Sequence, residues 1–532
     1  MQNPTIWLWN CKFRRAGDSK MDFIYLSAHF MNMIKPYFLL AALCLALQVD
    51  AQTKAPTEPK ETPQSGHLQV VTTKGKVNYG NKVLDYETKA GYLDLKTDTG
   101  KVMAKIFFTY YKKSGLEAAS RPITFCFNGG PGSSSVWLHV GALGPKRVLL
   151  KDDGTATPPP YKNINNEYCW LDKSDLVFVD PVSTGFSRAV GKENPKQFHG
   201  YQEDVEAMAS FIRFFLSKYE RWSSAKFLAG ESYGTTRASG LSKFLQDQYR
   251  IYINGLFLIS PVLNFGTNDY YVGHDLPRAL YLPSYTAAAW YHKKLSPDLQ
   301  TDLQKTLKQS EDFAINVYGP AMMKGDWMPK PDQEKLAEKL AYYSGLSKQY
   351  WLDNNLRVDE NRFYKELRRK DGLTIGRLDA RFTGTDLDNA GESVSYDPSF
   401  TNIDGPFTSS INDYLQKDLQ VKEEKPYTIL ANVWPWNYNN VQNKFLNVAE
   451  SLRDAMAKNP ALKVYIGSGY YDFATPYFTA KYDVEHMFLR PEAKKNIRHH
   501  FYNSGHMYYI NMPDMIQFKK DIDAFYDWVG KE

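Results

Sequence analysis

The chain has 532 residues, 43% of them hydrophobic and 23% charged, with a formal net charge of +6. That is more than one ordinary domain needs and enough for a large buried core, and the balance is that of a globular enzyme. Lys and Arg alternate with Asp and Glu instead of gathering into a stripe, which argues against nucleic acid as a partner.

The N-terminal region reads as an export signal. Lys35 precedes an apolar run, Tyr37–Val49, and Val49-Asp50-Ala51 offers small residues where a signal peptidase cuts. A basic start, a short apolar stretch and a small-residue site make a secretory signal over residues 31–51. The run is too short for a comfortable membrane span, so no stable membrane insertion is expected after cleavage. Residues 1–30 then read as a start-site extension, with translation beginning at Met31 or Met33; the alternative is a longer, uncleaved membrane-anchoring leader. The Pro- and Thr-rich residues 52–66 read as a linker. The expected location is outside the cytoplasm, periplasmic or secreted. Cys126 and Cys169 alone remain in the mature chain, too few for a disulfide scaffold. They either pair or stay free in the core.

From His67 to Lys112, β-rich alternating segments predict an antiparallel entry to a sheet. Short apolar runs then follow at Ile123–Phe127, Leu176–Val179, Phe227–Ala229 and Leu256–Ser260, which read as buried parallel strands. Between them, Val205, Met208, Ile212, Phe215, Leu216 and Tyr219 fall on one helical face. The alternation predicts an α/β architecture with a mostly parallel sheet and helices on both sides. It breaks at about Thr267, where a polar, Tyr-rich, mostly helical segment runs to Lys425. The predicted organisation is a core over 67–266, an inserted helical cap over 267–425, and the rest of the core over 426–532. In that last part Val441–Met456 reads as a helix, Lys463–Ile466 as a strand, and Asp514–Val529 as a closing amphipathic helix.

Gly230-Glu231-Ser232-Tyr233-Gly234 matches G-x-S-x-G, with an apolar strand before it and a helix-compatible stretch, Arg237–Tyr249, after it. Strand, turn and helix are the setting in which this motif projects a nucleophilic Ser from an α/β-hydrolase sheet. The hydroxyl needs a base, and the fold supplies acid and base later, in the order Ser, Asp, His. Asp472 lies just past the strand Lys463–Ile466, and His506 follows Gly505 in the loop to which the segment Arg498–Tyr502 leads. Ser232, Asp472 and His506 are therefore the expected triad, with His506 as base then acid and Asp472 fixing its tautomer. Asn128-Gly129-Gly130-Pro131-Gly132 follows another strand, and the amides of Gly130 and Tyr233 are the expected oxyanion donors. Pro131 and the lack of a following Lys argue against a phosphate loop. His486, His499 and His500 read as structural. No His lies in metal-ligand spacing, so neither metal nor cofactor is expected.

Phe127–Ser135, Gly144-Pro145, Trp170, Asp180-Pro181 with Gly185-Phe186-Ser187, the elbow, the Asp472 loop and Gly505-His506 come in one order. Together they resemble the serine carboxypeptidase family (carboxypeptidase Y and cathepsin A-like), here as a bacterial-type member. The resemblance implies hydrolysis of peptides from their carboxyl end through an acyl-enzyme on Ser232, with a peptide as substrate and no cofactor. It also implies that Asn128, Gly129 and Glu231 bind the substrate's terminal carboxylate. In the family a second Glu shares this task, and that position here is Ala142. The elbow is followed by Thr235-Thr236-Arg237 where the family has small residues, and Arg237 is either a charge for the substrate or a salt-bridge residue. Two other readings stay open: an esterase or acyltransferase on the same scaffold, and a binding protein that has kept the fold without the chemistry.

Overall fold

The computed structural model describes residues 70–117 and 120–531. The proposed start-site extension, signal and linker lie outside the described residues. The chain divides after His67, and everything described here belongs to the second unit, Leu68–Glu532.

Three strands form the antiparallel entry: β1 (Val71–Tyr79), β2 (Lys82–Lys96) and β3 (Val102–Lys113). They are longer than the sequence suggests, and β1 and β2 are joined by a tight turn at Gly80. Six further strands follow: β4 (Ile123–Phe127), β5 (Asp175–Val179), β6 (Lys226–Ser232), β7 (Gly255–Pro261), β8 (Lys463–Gly469) and β9 (Ile497–Tyr502). With the two-residue strand Arg188–Ala189 paired to β3, they make a ten-stranded sheet in the order β1-β2-β3-β5-β4-β6-β7-β8-β9. Every pairing from β5 to β9 is parallel. β4 and β7 are buried along their whole length, which is why they read as continuous apolar runs without alternation.

Helices α1 (Tyr201–Lys218) and α2 (Tyr233–Tyr249) lie on one face. Val205, Met208, Ile212, Phe215 and Leu216 of α1 are all buried there against Phe108, Phe125 and Leu228 of the sheet. Truncating one such large side chain to Ala costs about 2–5 kcal/mol. Between β7 and β8 the chain is helical, including α3 (Leu276–Tyr291), α4 (Lys330–Ser344) and α5 (Pro398–Asp413). α3 and α4 share an apolar core of their own with Tyr470, Tyr471 and Phe473, so this core sits on the loop that follows β8. α5 instead packs Phe407 and Ile411 into the core on the second face of the sheet, beside Phe518, Ile522 and Phe525 of the last helix. The chain closes with α6 (Ala449–Lys458) and α7 (Met512–Val529).

The helix expected over Val441–Met456 begins only at Ala449. The stretch before it spends its backbone elsewhere: Phe265 N–H donates to Leu446 O, and Val448 N–H to Leu263 O. Those tertiary bonds outcompete helical periodicity over the first half of the segment. Cys126 and Cys169 are both buried free thiols. Among the described residues, no helix is long and apolar enough to cross a membrane.

Candidate active site

β6 is the central strand of the parallel half, and its last residue is Ser232. α2 starts at the next residue. Reversing direction that sharply forces Ser232 to φ 58° and ψ −130°, a strained conformation for a side-chain-bearing residue, worth about 1–3 kcal/mol. The glycines make room for it. A Cβ on Gly234 would stand 2.5 Å from Phe127 O, and one on Gly230 would collide with the Gly234 carbonyl.

The expected acid and base follow the last two strands of the sheet. Asp472 follows β8 and His506 follows β9, at the carboxyl ends where α/β sheets build their sites. His506 Nδ1 lies 2.7 Å from Asp472 Oδ2, so the imidazole keeps its proton on Nδ1 and leaves Nε2 free to act as a base. Asp472 is completely buried. Its Oδ1 accepts from the N–H groups of Ala474 and Thr475, and its Oδ2 from Thr475 Oγ1 as well as from His506. Burial alone would hold His506 below its ordinary pKa, but the charge and hydrogen bond of Asp472 outweigh it and the net shift is upward.

Two supporting residues were not singled out from the sequence. Thr475 sits between Asp472 and Ser260 O, and Ser260 Oγ donates to His506 O at 2.7 Å. The Thr475 signal was legible: three residues past an Asp, in a turn that the Asp side chain caps. The segment Arg377–Arg381 was not legible as part of the site. Arg377 O accepts from Phe473 N, Leu378 O accepts from His506 N at 2.6 Å, and Asp379 Oδ2 accepts from Gly505 N. One strap from the segment between β7 and β8 thus braces the loops that carry Asp472 and His506. The Arg377 side chain is exposed, and its charge pulls His506 downward.

The Asn128–Gly132 loop lies over the elbow. A Cβ on Gly129 would stand 2.6 Å from Tyr233 N and 2.8 Å from Ser232 Cβ, so only glycine allows this approach. Tyr233 opens α2, and its N–H has no acceptor within the helix. That nitrogen lies against Gly129, which also packs on Ser232 Cβ. Asn128 Oδ1 accepts from Leu138 N–H, which aims Nδ2 at Glu231 Oε1, 3.1 Å away. Glu231 is buried, and Tyr509 OH donates to its Oε2 at 2.5 Å. Burial lifts its carboxyl to about 7, against the downward pull of His506 and of the Tyr509 hydrogen bond. Tyr509 is a further residue missed in the sequence; its partner is 278 positions away.

Arg237 resolves as a salt-bridge residue. Its Nε donates to Asp204 at 2.8 Å and its Nη1 to Asn128 O at 2.7 Å, with both side chains of the ion pair buried. It buttresses the Asn128 loop from behind. His499 pairs with Ser468 and His500 with Asp521, in structural settings. Among the described residues no cluster of His, Cys, Asp and Glu could hold a metal ion.

A family model described as serine carboxypeptidase matches residues 79–515. The chain belongs to the serine carboxypeptidase family. Within it, the chain is similar to "Serine carboxypeptidase-like 33" of Arabidopsis thaliana, 24% identical over 35% of this chain and 38% of the relative. It is also similar to a carboxypeptidase Y homolog of Arthroderma benhamiae, 29% identical over 30% of each chain. The chain thus spans less than half the length of either relative. A solved proline iminopeptidase of Mycobacterium smegmatis aligns over 86% of this chain and 98% of its own, at 12% identity and a TM-score of 0.33.

Proposed function

We propose that the protein is an exported serine-type carboxypeptidase that releases C-terminal residues from peptides through an acyl-enzyme on Ser232. The observation that carries this reading is the buried Glu231–Asn128 pair, set beside an elbow whose base is already oriented by Asp472. A plain esterase has no need of a carboxyl held near neutrality next to its nucleophile. A site that must grip a substrate carboxylate does, because a protonated carboxyl donates a hydrogen bond to an incoming carboxylate where an ionised one repels it.

The substrate's terminal carboxylate lies against Asn128 Nδ2, the Gly129 amide and the protonated Glu231 carboxyl. The scissile carbonyl then stands over Ser232 with its oxygen toward the Gly130 and Tyr233 amides. Ser232 Oγ attacks as His506 Nε2 takes its proton, and the two amides hold the oxyanion, which by analogy lowers the barrier by about 2.7–4 kcal/mol per donor. His506 returns the proton to the leaving amine, and Asp472 stabilises the imidazolium in between. Water repeats the sequence on the acyl-enzyme. Protonating Glu231 also removes a negative charge that holds His506 up, so the state that admits the substrate favours the neutral base. The apolar run Tyr37–Val49 supports export, to periplasm or medium.

Ala142 favours one second reading. With no second acid at that position, an esterase or acyltransferase would use the same triad. The test is release of the C-terminal residue from a blocked dipeptide, compared with its C-terminal amide. Strong preference for the free acid, abolished by Ser232→Ala, is expected. Equal turnover of both would move the assignment to the second reading.

A further inference from the structure

The clamp for the terminal carboxylate has a part that the sequence pattern does not announce. Glu231 is gripped on both oxygens: Asn128 Nδ2 donates to Oε1, and Tyr509 OH donates to Oε2. Tyr509 is buried, and its ring lies against the turn His139–Leu143, which holds Ala142. The approach depends on small residues there. A Cβ on Gly141 would stand 2.9 Å from Tyr509 Cε2. The backbone that offers no acid at 142 is thus the backbone that lets a phenol reach Glu231.

We propose that Tyr509 is a positioning residue that takes over from the missing second acid, holding Glu231 so that a single proton on its carboxyl decides whether a terminal carboxylate binds. This rests on the carboxypeptidase reading. With Oε2 accepting from the phenol and Oε1 from Asn128, the carboxyl is held in one orientation beside the nucleophile. A phenol does not titrate in the working range: burial holds Tyr509 well above its ordinary value. Two carboxyls would need to share protons between them. One carboxyl and one phenol leave one titrating group, so the clamp opens and closes with a slope of one. The other ionisable groups that bear on Glu231 are His506, which lowers its pKa, and Asp472, which raises it; Tyr508 also feels its charge and is held un-ionised by burial.

The sign follows. Glu231 must be protonated to bind, so the alkaline limb of kcat/KM for free-acid peptides falls as pH rises through about 7, while the acid limb belongs to His506, which must be neutral. The phenol favours the ionised form, so Tyr509→Phe raises the Glu231 pKa. The alkaline limb should then move up by about one pH unit, the size of one charge-assisted hydrogen bond. Without the phenol the carboxyl is no longer held in place, so KM for the free acid should rise several-fold at pH 5.5 with kcat little changed, as a positioning role requires. A blocked ester that carries no carboxylate should show neither effect, and its turnover reports that the variant is folded. An unmoved alkaline limb for the free acid, in a variant that still turns over the ester, overturns the proposal. So does a limb that falls with slope two in the native enzyme. If the native enzyme does not distinguish free acid from amide, it is the carboxypeptidase reading that fails instead.

Discussion

Gly129→Ala puts the smallest possible side chain between the oxyanion loop and the nucleophile. The added carbon would sit 2.6 Å from Tyr233 N, 2.8 Å from Ser232 Cβ and 2.9 Å from Glu231 O, where ordinary contact begins at 3.4 Å. All three neighbours belong to the elbow, which is pinned by β6 on one side and α2 on the other, so the loop must yield by roughly 0.8 Å to restore ordinary packing. A displacement of that size at a catalytic centre costs on the order of 10²-fold in rate, about 2.7 kcal/mol of activation free energy. The loss should fall on kcat for both a blocked ester and a peptide acid, because the amides proposed for the oxyanion serve both. The assay is steady-state kinetics on the two substrates alongside a thermal melt. A folded variant with kcat within about threefold of the native enzyme would refute the reasoning, because the loop would then not be seated on the elbow as described.

Three further predictions follow from the same geometry. Asp472→Asn keeps the shape but leaves His506 in the wrong tautomer, so kcat should fall on the order of 10⁴-fold by analogy with other triads; rates by stopped assay, together with circular dichroism, would show whether activity is lost from a folded protein. Arg377→Gln removes a positive charge that depresses His506, so the His506 pKa should rise and the acid limb of kcat/KM on a blocked ester should shift to higher pH; a stationary limb contradicts the assignment. Arg237→Met strands the buried Asp204, whose pKa burial already raises. Breaking a buried pair this way costs about 3–5 kcal/mol, read from the shift in the denaturation midpoint against an unchanged slope.

The parts of the site that depend on local sequence were legible from it. The elbow is five consecutive residues in a strand–turn–helix context, and the Asp472 loop follows an apolar strand, while His506 follows a Gly in a loop. What could not be read was whatever joins distant segments. Nothing local to Tyr509 says that it reaches Glu231, 278 positions away. Ser260 ends a strand and looks like any strand terminus until His506 O is placed against it. The strap Arg377–Arg381 belongs to a region with no motif, and its contacts with the triad loops are made by backbone atoms, which leave no mark on residue type. The helix read over Val441–Met456 failed for a related reason: its first half pairs with Leu263–Phe265, and periodicity is blind to such a partner. Arg237 lay between two readings that only its distance to Asp204 could separate.

The most direct test joins the nucleophile to the carboxylate clamp in one measurement. The protein is labelled with a fluorophosphonate, the modified peptide is mapped by mass spectrometry, and the labelling rate is followed with a blocked peptide present either as the free acid or as its amide. The account predicts a single adduct on Ser232, formed more slowly in the presence of the free acid at pH 5.5, with the amide giving little protection. An adduct elsewhere, or equal protection by acid and amide, would contradict it.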